Sequence, residues 1–175
     1  MGFYIFIIFV IIFLLFLLSM VWPPDSPWAP WWRTSKKTAR IMCKLAKVKK
    51  GDIVFDLGSG EGTALLVAAK EFGAKGFGIE IDPVRFIYSK FTLKTNGLSN
   101  IVTIKKGNLF NQDISKASVV FVYLVPKTLE RLLPKFKREL KPGVRIVSYR
   151  YEIDLPLIDH DKKNNIRVYK IPRSI

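Results

Sequence analysis

The segment DIVFDLGSGEG, residues 52–62, constrains the fold more than any other part of the sequence. Its apolar run ends at Asp56, and glycines follow at Gly58, Gly60 and Gly62. Glycine tolerates backbone angles and close approaches that side chains forbid, so this pattern is typical of a buried strand that turns tightly into a helix. The segment therefore predicts a strand–turn–helix unit with a ligand lying against the turn.

The same alternation of strand and helix continues along the chain. The predicted strands have the sequences IVFDLG, GFGIEI, IVTIKKG, SVVFVYLV, VRIVSYRYEI and IRVYKI. Helices are predicted for GTALLVAAKEFG, for the run that Pro83 opens, and for PKTLERLLPKFKREL. Alternating strands and helices favour a parallel sheet covered on both faces, which binds its ligand at the carboxyl ends of the strands. The glycine turn is predicted at that edge.

The spacing of acidic and glycine residues limits the choice of ligand. The pattern is Asp-x-Gly-x-Gly-x-Gly, which is neither the dinucleotide fingerprint nor the phosphate loop. Glu80 ends the second strand, where a carboxylate can accept hydrogen bonds from both ribose hydroxyls. Asp56 and Glu61 add negative potential. These residues favour a nucleoside with a cationic, non-phosphate tail, such as S-adenosylmethionine, over a plain glycine turn.

Four motifs carry a resemblance to a known family. VFDLGSGEG, GFGIEID, KKGNLF and VVFVYLVP resemble, in this order, the motifs of the class I S-adenosylmethionine-dependent methyltransferases over residues 34–172. The sequence is most similar to the small membrane-associated protein-lysine methyltransferases, which include enzymes that modify the ATP synthase c-subunit and the adenine nucleotide translocase. The resemblance implies an α/β fold with a Rossmann-like seven-strand sheet, helices on both faces and S-adenosylmethionine as cofactor.

The resemblance also implies the residues that contact the cofactor. They are Asp56, Gly58, Ser59, Gly60, Glu61, Gly62, Glu80, Ile81, Asn108 and Leu109. Asn108 departs from the family pattern, which usually has an aspartate against the adenine. An asparagine amide can still donate to and accept from an adenine edge.

The acceptor pocket is expected after the fourth strand, at Tyr123, Leu124 and Pro126. The motif Asn/Asp-Pro-Pro-Tyr of amide and exocyclic-amine methyltransferases is absent here, which argues against those acceptors. Packing at the strand end is the alternative role for these side chains. Trp28 and Pro30 form either a lid over the donor and acceptor, as the resemblance suggests, or part of an interfacial aromatic belt.

The apolar run at residues 3–22 contains no charged residue. A helix of this length rises about 30 Å, the thickness of a bilayer's hydrocarbon core, so the run predicts a transmembrane anchor at 1–22. A Pro/Trp-rich juxtamembrane linker at 23–33 and a catalytic domain at 34–175 follow. The residues after the anchor are basic, which predicts a single-pass protein with its domain on the cytoplasmic side.

Composition excludes several other classes of function. Cys43 is the only cysteine and His160 the only histidine, which argues against cysteine-based metal clusters and histidine-centred nucleophilic triads. The formal net charge of +15 favours a polyanionic partner, and the predicted anchor favours a lipid surface over a nucleic acid as that partner.

The sequence as a whole predicts a membrane-anchored S-adenosylmethionine-dependent methyltransferase that modifies a lysine of a membrane or membrane-proximal protein. RNA, lipid or small-molecule methylation are the alternative reactions. A non-catalytic protein that binds the nucleoside and tethers a partner is the alternative of another class.

Overall fold

A computed structural model describes residues 2–21 and 32–173 of the chain. Its helices are α1 (Gly2–Val21), α2 (Lys36–Leu45), α3 (Thr63–Phe72), α4 (Pro83–Thr95) and α5 (Pro126–Glu139), with one 3₁₀ turn at Leu109–Asn111. Its strands are β1 (Ile53–Leu57), β2 (Lys75–Glu80), β3 (Val102–Lys106), β4 (Val119–Val122), β5 (Arg145–Tyr149), β6 (Leu157–Asp161) and β7 (Ile166–Lys170).

The seven strands form one sheet in the order β3-β2-β1-β4-β5-β7-β6. The first five are parallel, whereas β7 is antiparallel to both β5 and β6. This arrangement confirms the predicted seven-strand α/β sheet. The chain order reverses direction between β1 and β4, and a crevice for a ligand forms at such a switch point, outside the carboxyl ends of the strands.

The predicted fifth strand, VRIVSYRYEI, is shorter than expected. It ends at Tyr149, because Arg150 takes a left-handed backbone with φ 73° and turns the chain away from the sheet. The next strand, β6, has the sequence LIDHD and was not predicted. It is an edge strand with no buried residue, so it lacks the apolar run by which the other strands are recognised.

Two apolar layers pack on the two faces of the sheet, and β4 shows how one strand serves both. Val119 and Phe121 face the layer formed with α2, α3 and α4, whereas Val120 and Val122 face the layer formed with α5. All four side chains are completely buried. Helices on both faces are thereby confirmed, and the sheet's carboxyl edge is left as the place for a ligand.

The prediction of a transmembrane anchor is wrong. Within residues 2–21 and 32–173, no helix combines the length and the apolar character needed to cross a bilayer. The predicted single-pass localisation with a cytoplasmic domain is wrong for the same reason.

The segment between α1 and α2 is described only from Trp32 onward. Most of the predicted linker 23–33 lies outside the described residues, and so do Trp28 and Pro30 of the predicted lid. The division of the chain at residues 22 and 33 stays a prediction.

Candidate active site

The glycine turn after β1 is shaped by its backbone angles. Gly58, Gly60 and Gly62 have φ values of 84°, 53° and 76°, in the left-handed region that residues with side chains rarely adopt. The N–H groups of Gly58 and Ser59 both donate to the carbonyl oxygen of Ile79, at 2.9 and 3.0 Å. The turn is therefore fixed to the end of β2, and glycine is needed there for the chain's own conformation, before any ligand is considered.

Glu80 ties the end of β2 to the same turn. Its Oε2 accepts a hydrogen bond from the Gly60 N–H at 2.6 Å, and its Oε1 accepts one from the Asp82 N–H at 2.9 Å. Burial raises the pKa of this carboxyl, against the lowering effect of the two hydrogen bonds. Each carboxylate oxygen keeps a second lone pair, so the predicted contact with ribose hydroxyls remains available. Glu80 thus has a structural role that its spacing did not reveal.

Asp56 is a second buried carboxyl at this edge. This residue is only 9% exposed. It lies on the central strand β1, near the carboxyl end, with Gly78 of β2 and Phe121 of β4 as its register neighbours. Burial, with a smaller contribution from nearby Glu80, raises its pKa from 3.8 to about 7. Two carboxyls that face one cavity suit a ligand with positive charge, because such a charge stabilises their ionised forms.

A single cavity at the carboxyl ends of β1, β2 and β4 collects most of the predicted site residues. Those that line it are Asp56, Gly58, Ser59, Glu61, Glu80, Ile81, Asn108, Leu109, Tyr123 and Leu124. Gly60, Gly62 and Pro126 are not among its lining residues: the glycines shape the turn beneath it, and Pro126 opens α5. Which of these residues contact a bound cofactor or acceptor stays a prediction.

Sequence reasoning missed several residues of the cavity wall. They are Trp32, Arg33, Thr34, Met42, Thr63, Ala64, Ile79, Arg85, Gly107, Phe110, Val122 and Thr128.

Arg33 forms an ion pair with Glu61, with 2.6 Å between Nη2 and Oε2, and so holds the segment before α2 against the glycine turn. This contact joins distant parts of the chain, and no local sequence signal predicts it.

Asn108 acts as a cap at the wall formed after β3. Its Oδ1 accepts a hydrogen bond from the Phe110 N–H at 3.0 Å, at the start of the 3₁₀ turn. The cap orients Leu109 and Phe110 toward the cavity, where both are lining residues. Its predicted role against an adenine stays a prediction.

The β4 side of the cavity carries aromatic rings and a cation. Tyr123 directly follows β4, and its ring centroid lies 4.5 Å from that of Tyr149 at the end of β5. The guanidinium of Arg150 lies 5.5 Å from the ring centroid of Trp32, 5.7 Å from that of Tyr123 and 5.6 Å from that of Tyr149. The cavity thus has an acidic side at β1 and β2 and an aromatic side at β4.

Residues 56–156, which include both sides of this cavity, match the family model of the ANTKMT methyltransferase domain. The chain belongs to this methyltransferase family. A protein-lysine N-methyltransferase of Saccharolobus islandicus is 42% identical over 128 residues, which are 73% of this chain and 80% of the relative. The human lysine N-methyltransferase of the ATP synthase c-subunit is 28% identical over 73% of this chain, and the chain covers 53% of its length.

A solved structure gives the same result for the fold of this methyltransferase. The RNA methyltransferase of Salinibacter ruber in complex with S-adenosylhomocysteine superposes with a TM-score of 0.77 and 34% identity, over 82% of this chain and 96% of that one. The predicted S-adenosylmethionine-dependent methyltransferase is thereby confirmed, together with its cofactor. The acidic cavity at Asp56 and Glu80 fits that cofactor, which carries a sulfonium and an amino group.

Proposed function

We propose that this methyltransferase transfers the methyl group of S-adenosylmethionine to the side-chain amine of a lysine in a protein. The observation that carries the proposal is the 42% identity to a protein-lysine N-methyltransferase, over 80% of that protein's length. The β4 side of the cavity agrees with it. Tyr123 and Leu124 there form an aromatic and apolar wall, against which the aliphatic stem of a lysine packs.

The acceptor must lose a proton before it can act as a nucleophile. Transfer of a lysine side chain from water to the wall of Tyr123 and Leu124 lowers its pKa, because burial disfavours the charged form. Burial also raises the pKa of the Tyr123 phenol, although nearby Arg150 opposes this. Tyr123 therefore stays protonated at neutral pH and positions the acceptor as a neutral ring, while the proton leaves to solvent.

The transfer itself is an in-line displacement that depends on alignment. The bound cofactor supplies an electrophilic methyl group on a sulfonium. The lone pair of the lysine nitrogen would form the new N–C bond while the S–C bond broke with its electron pair going to sulfur, so the product is a methylated ammonium and the one proton released is the one lost before the transfer. The chain holds the acceptor at the methyl group and excludes water from it.

Methylation of RNA is the second candidate function. The solved structure at 34% identity is that of an RNA methyltransferase, and the net charge of +15 suits a polyanion. The two candidates differ in which polymer receives the methyl group, so one labelling experiment separates them.

The test supplies the purified chain with S-adenosylmethionine labelled in its methyl group, together with total protein or total RNA. Acid hydrolysis of the protein followed by chromatography should show the label in methyllysine. The ATP synthase c-subunit is the first individual protein to assay, because relatives of 28–29% identity are named for it. Label confined to RNA nucleosides would refute the lysine proposal.

Two variants link the label to the cavity. Glu80→Ala removes a carboxylate that lines the cavity and accepts hydrogen bonds from Gly60 and Asp82, so we expect it to abolish S-adenosylhomocysteine binding and labelling. Glu71→Ala removes an exposed carboxylate that pairs with Arg40 on the surface, and it should leave both unchanged. Glu80→Gln, which keeps the side chain's size, separates loss of the carboxylate from loss of the fold.

A further inference from the structure

We propose that three aromatic rings bind the cationic side chain of the acceptor and that Arg150 occupies their site until the acceptor displaces it. The rings belong to Trp32, Tyr123 and Tyr149 and are called the aromatic cage below. This inference rests on the proposed lysine acceptor and adds to it the residues that recognise the acceptor as an ammonium, before it loses its proton.

The first argument is the geometry of the aromatic cage. The guanidinium carbon of Arg150 is nearly equidistant from the three ring centroids, at 5.5, 5.7 and 5.6 Å. A cation within about 6 Å of a ring centroid is attracted by the negative face of the ring. Several rings around one point form the arrangement by which proteins recognise alkylated ammonium groups. The site is therefore built for a cation, and Arg150 fills it.

The second argument is the backbone of Arg150. Its φ of 73° is left-handed, which is costly for a residue with a side chain and persists only where the surroundings enforce it. The Arg150 N–H donates to the Asn165 carbonyl at 2.8 Å, and the Arg150 carbonyl accepts from Arg167 at 3.2 Å. Both contacts come from the β6–β7 hairpin and β7. The hairpin thus holds the end of β5 in the turn from which Arg150 reaches the cage.

The third argument is the place of the cage relative to the cofactor residues. Trp32 and Tyr123 line the cavity, and Tyr123 directly follows β4. Asp56 and Glu80, which suit the cofactor, lie on β1 and at the end of β2, on the other side of the switch point. A side chain that enters past the cage therefore reaches the cavity from its β4 side, opposite the two carboxyls.

The exchange of Arg150 for the acceptor has a measurable consequence. Arg150 is exposed, so moving it into water gives up its ring contacts and its hydrogen bond to the Tyr149 side chain but leaves no buried charge behind. The acceptor gains the ring contacts that Arg150 gives up. Removing Arg150 should therefore strengthen the binding of an alkylammonium ion. The affinity should rise about two- to fivefold for each ring with which the guanidinium no longer competes.

The first experiment titrates tetramethylammonium into the chain of residues 1–175 saturated with S-adenosylhomocysteine, which keeps the probe out of the cofactor cavity. Ring resonances of ¹³C-labelled tyrosine report the binding. Arg150→Ala should bind the probe about tenfold more tightly than the wild type, and adding Tyr149→Leu should remove that gain. Equal affinity in the wild type and Arg150→Ala would overturn the proposal.

The matched control is Arg138→Ala. Arg138 lies in the last turn of α5, is exposed, and pairs with Glu139, so this variant loses the same charge far from the cage. It should bind tetramethylammonium as the wild type does. Tighter binding in Arg138→Ala would assign the effect to overall charge and overturn the role of Arg150.

The second experiment measures methylation of a lysine substrate. Arg150→Ala should lower the KM for the substrate about threefold or more and leave kcat and the affinity for S-adenosylhomocysteine unchanged. A KM that rises or stays the same would show that Arg150 does not compete with the acceptor. If no lysine is methylated by the wild type, the proposed function fails, and the tetramethylammonium titration still decides whether the cage binds cations.

Discussion

Replacing Asp56 with asparagine should stabilise the protein at and above neutral pH. Burial, and to a smaller extent Glu80, raises the pKa of Asp56 from 3.8 to about 7 in the folded state. The folded state therefore binds a proton more tightly than the unfolded chain. The stability linked to this carboxyl is fully present below pH 3.8 and is lost as the pH rises through about 7.

The size of the loss follows from the two pKa values. Each pH unit between them corresponds to 1.36 kcal/mol, so ionising Asp56 costs the folded state at most about 4 kcal/mol above pH 7. Asparagine has nearly the same shape and never ionises, so Asp56→Asn does not incur this cost. We expect the stabilities of the two proteins to differ least near pH 4 and most near pH 8.

Urea unfolding between pH 4 and pH 9, followed by circular dichroism, measures this difference. Burial also raises the pKa of Glu80, but that group is present in both proteins, so the comparison isolates Asp56. Asp113→Asn is the matched control, because Asp113 is exposed and the Ser115 N–H lowers its pKa, which predicts no gain at high pH. A difference between wild type and Asp56→Asn that does not change with pH would refute the reasoning.

Three further predictions test other parts of the structure. Gly78→Ala places a Cβ against Ile104 Cδ1 and 2.7 Å from the Ser59 hydroxyl oxygen. It should displace the glycine turn, weaken S-adenosylhomocysteine binding in a calorimetric titration and cost about 1–3 kcal/mol of stability. Arg145→Ala removes the guanidinium that lies 2.6 Å from the buried Asp52 carboxylate. Urea unfolding should show a free energy of unfolding lower by about 3 kcal/mol, and a loss below about 1 kcal/mol would contradict this. Burial raises the pKa of the Cys43 thiol to about 12, so maleimide should label it only after denaturation, and labelling of the native protein would contradict its burial.

The sequence predicts the parallel half of the sheet well, and the reason is burial. Strands such as β4 are buried on both faces, so their apolar runs stand out between polar turns. Strand β6 has exposed and half-buried side chains and reads as a loop. For the N-terminal run the error was an element predicted in excess. Hydropathy over residues 3–22 predicted a membrane anchor, and the described residues do not support one.

The candidate site was predicted where its residues are close in sequence and missed where folding alone brings them together. The glycine turn and Glu80 lie at fixed spacing in one strand–helix–strand unit, so the sequence shows them directly. Trp32 and Arg150 come from opposite ends of the domain and meet only after folding, so no spacing indicates that they form one cluster. The left-handed turn at Arg150 is also hidden, because arginine is not a residue that marks such turns.

The ion pair between Arg33 and Glu61 has a consequence for the kinetics of cofactor exchange. The ion pair connects the segment before α2 to the glycine turn. Both of its residues line the cavity. The Arg33 side chain is 64% exposed, so dissolved ions screen the attraction. High ionic strength should therefore weaken this contact between the two walls of the cavity. In concentrated salt the cofactor should enter and leave faster, at little change in the stability of the fold.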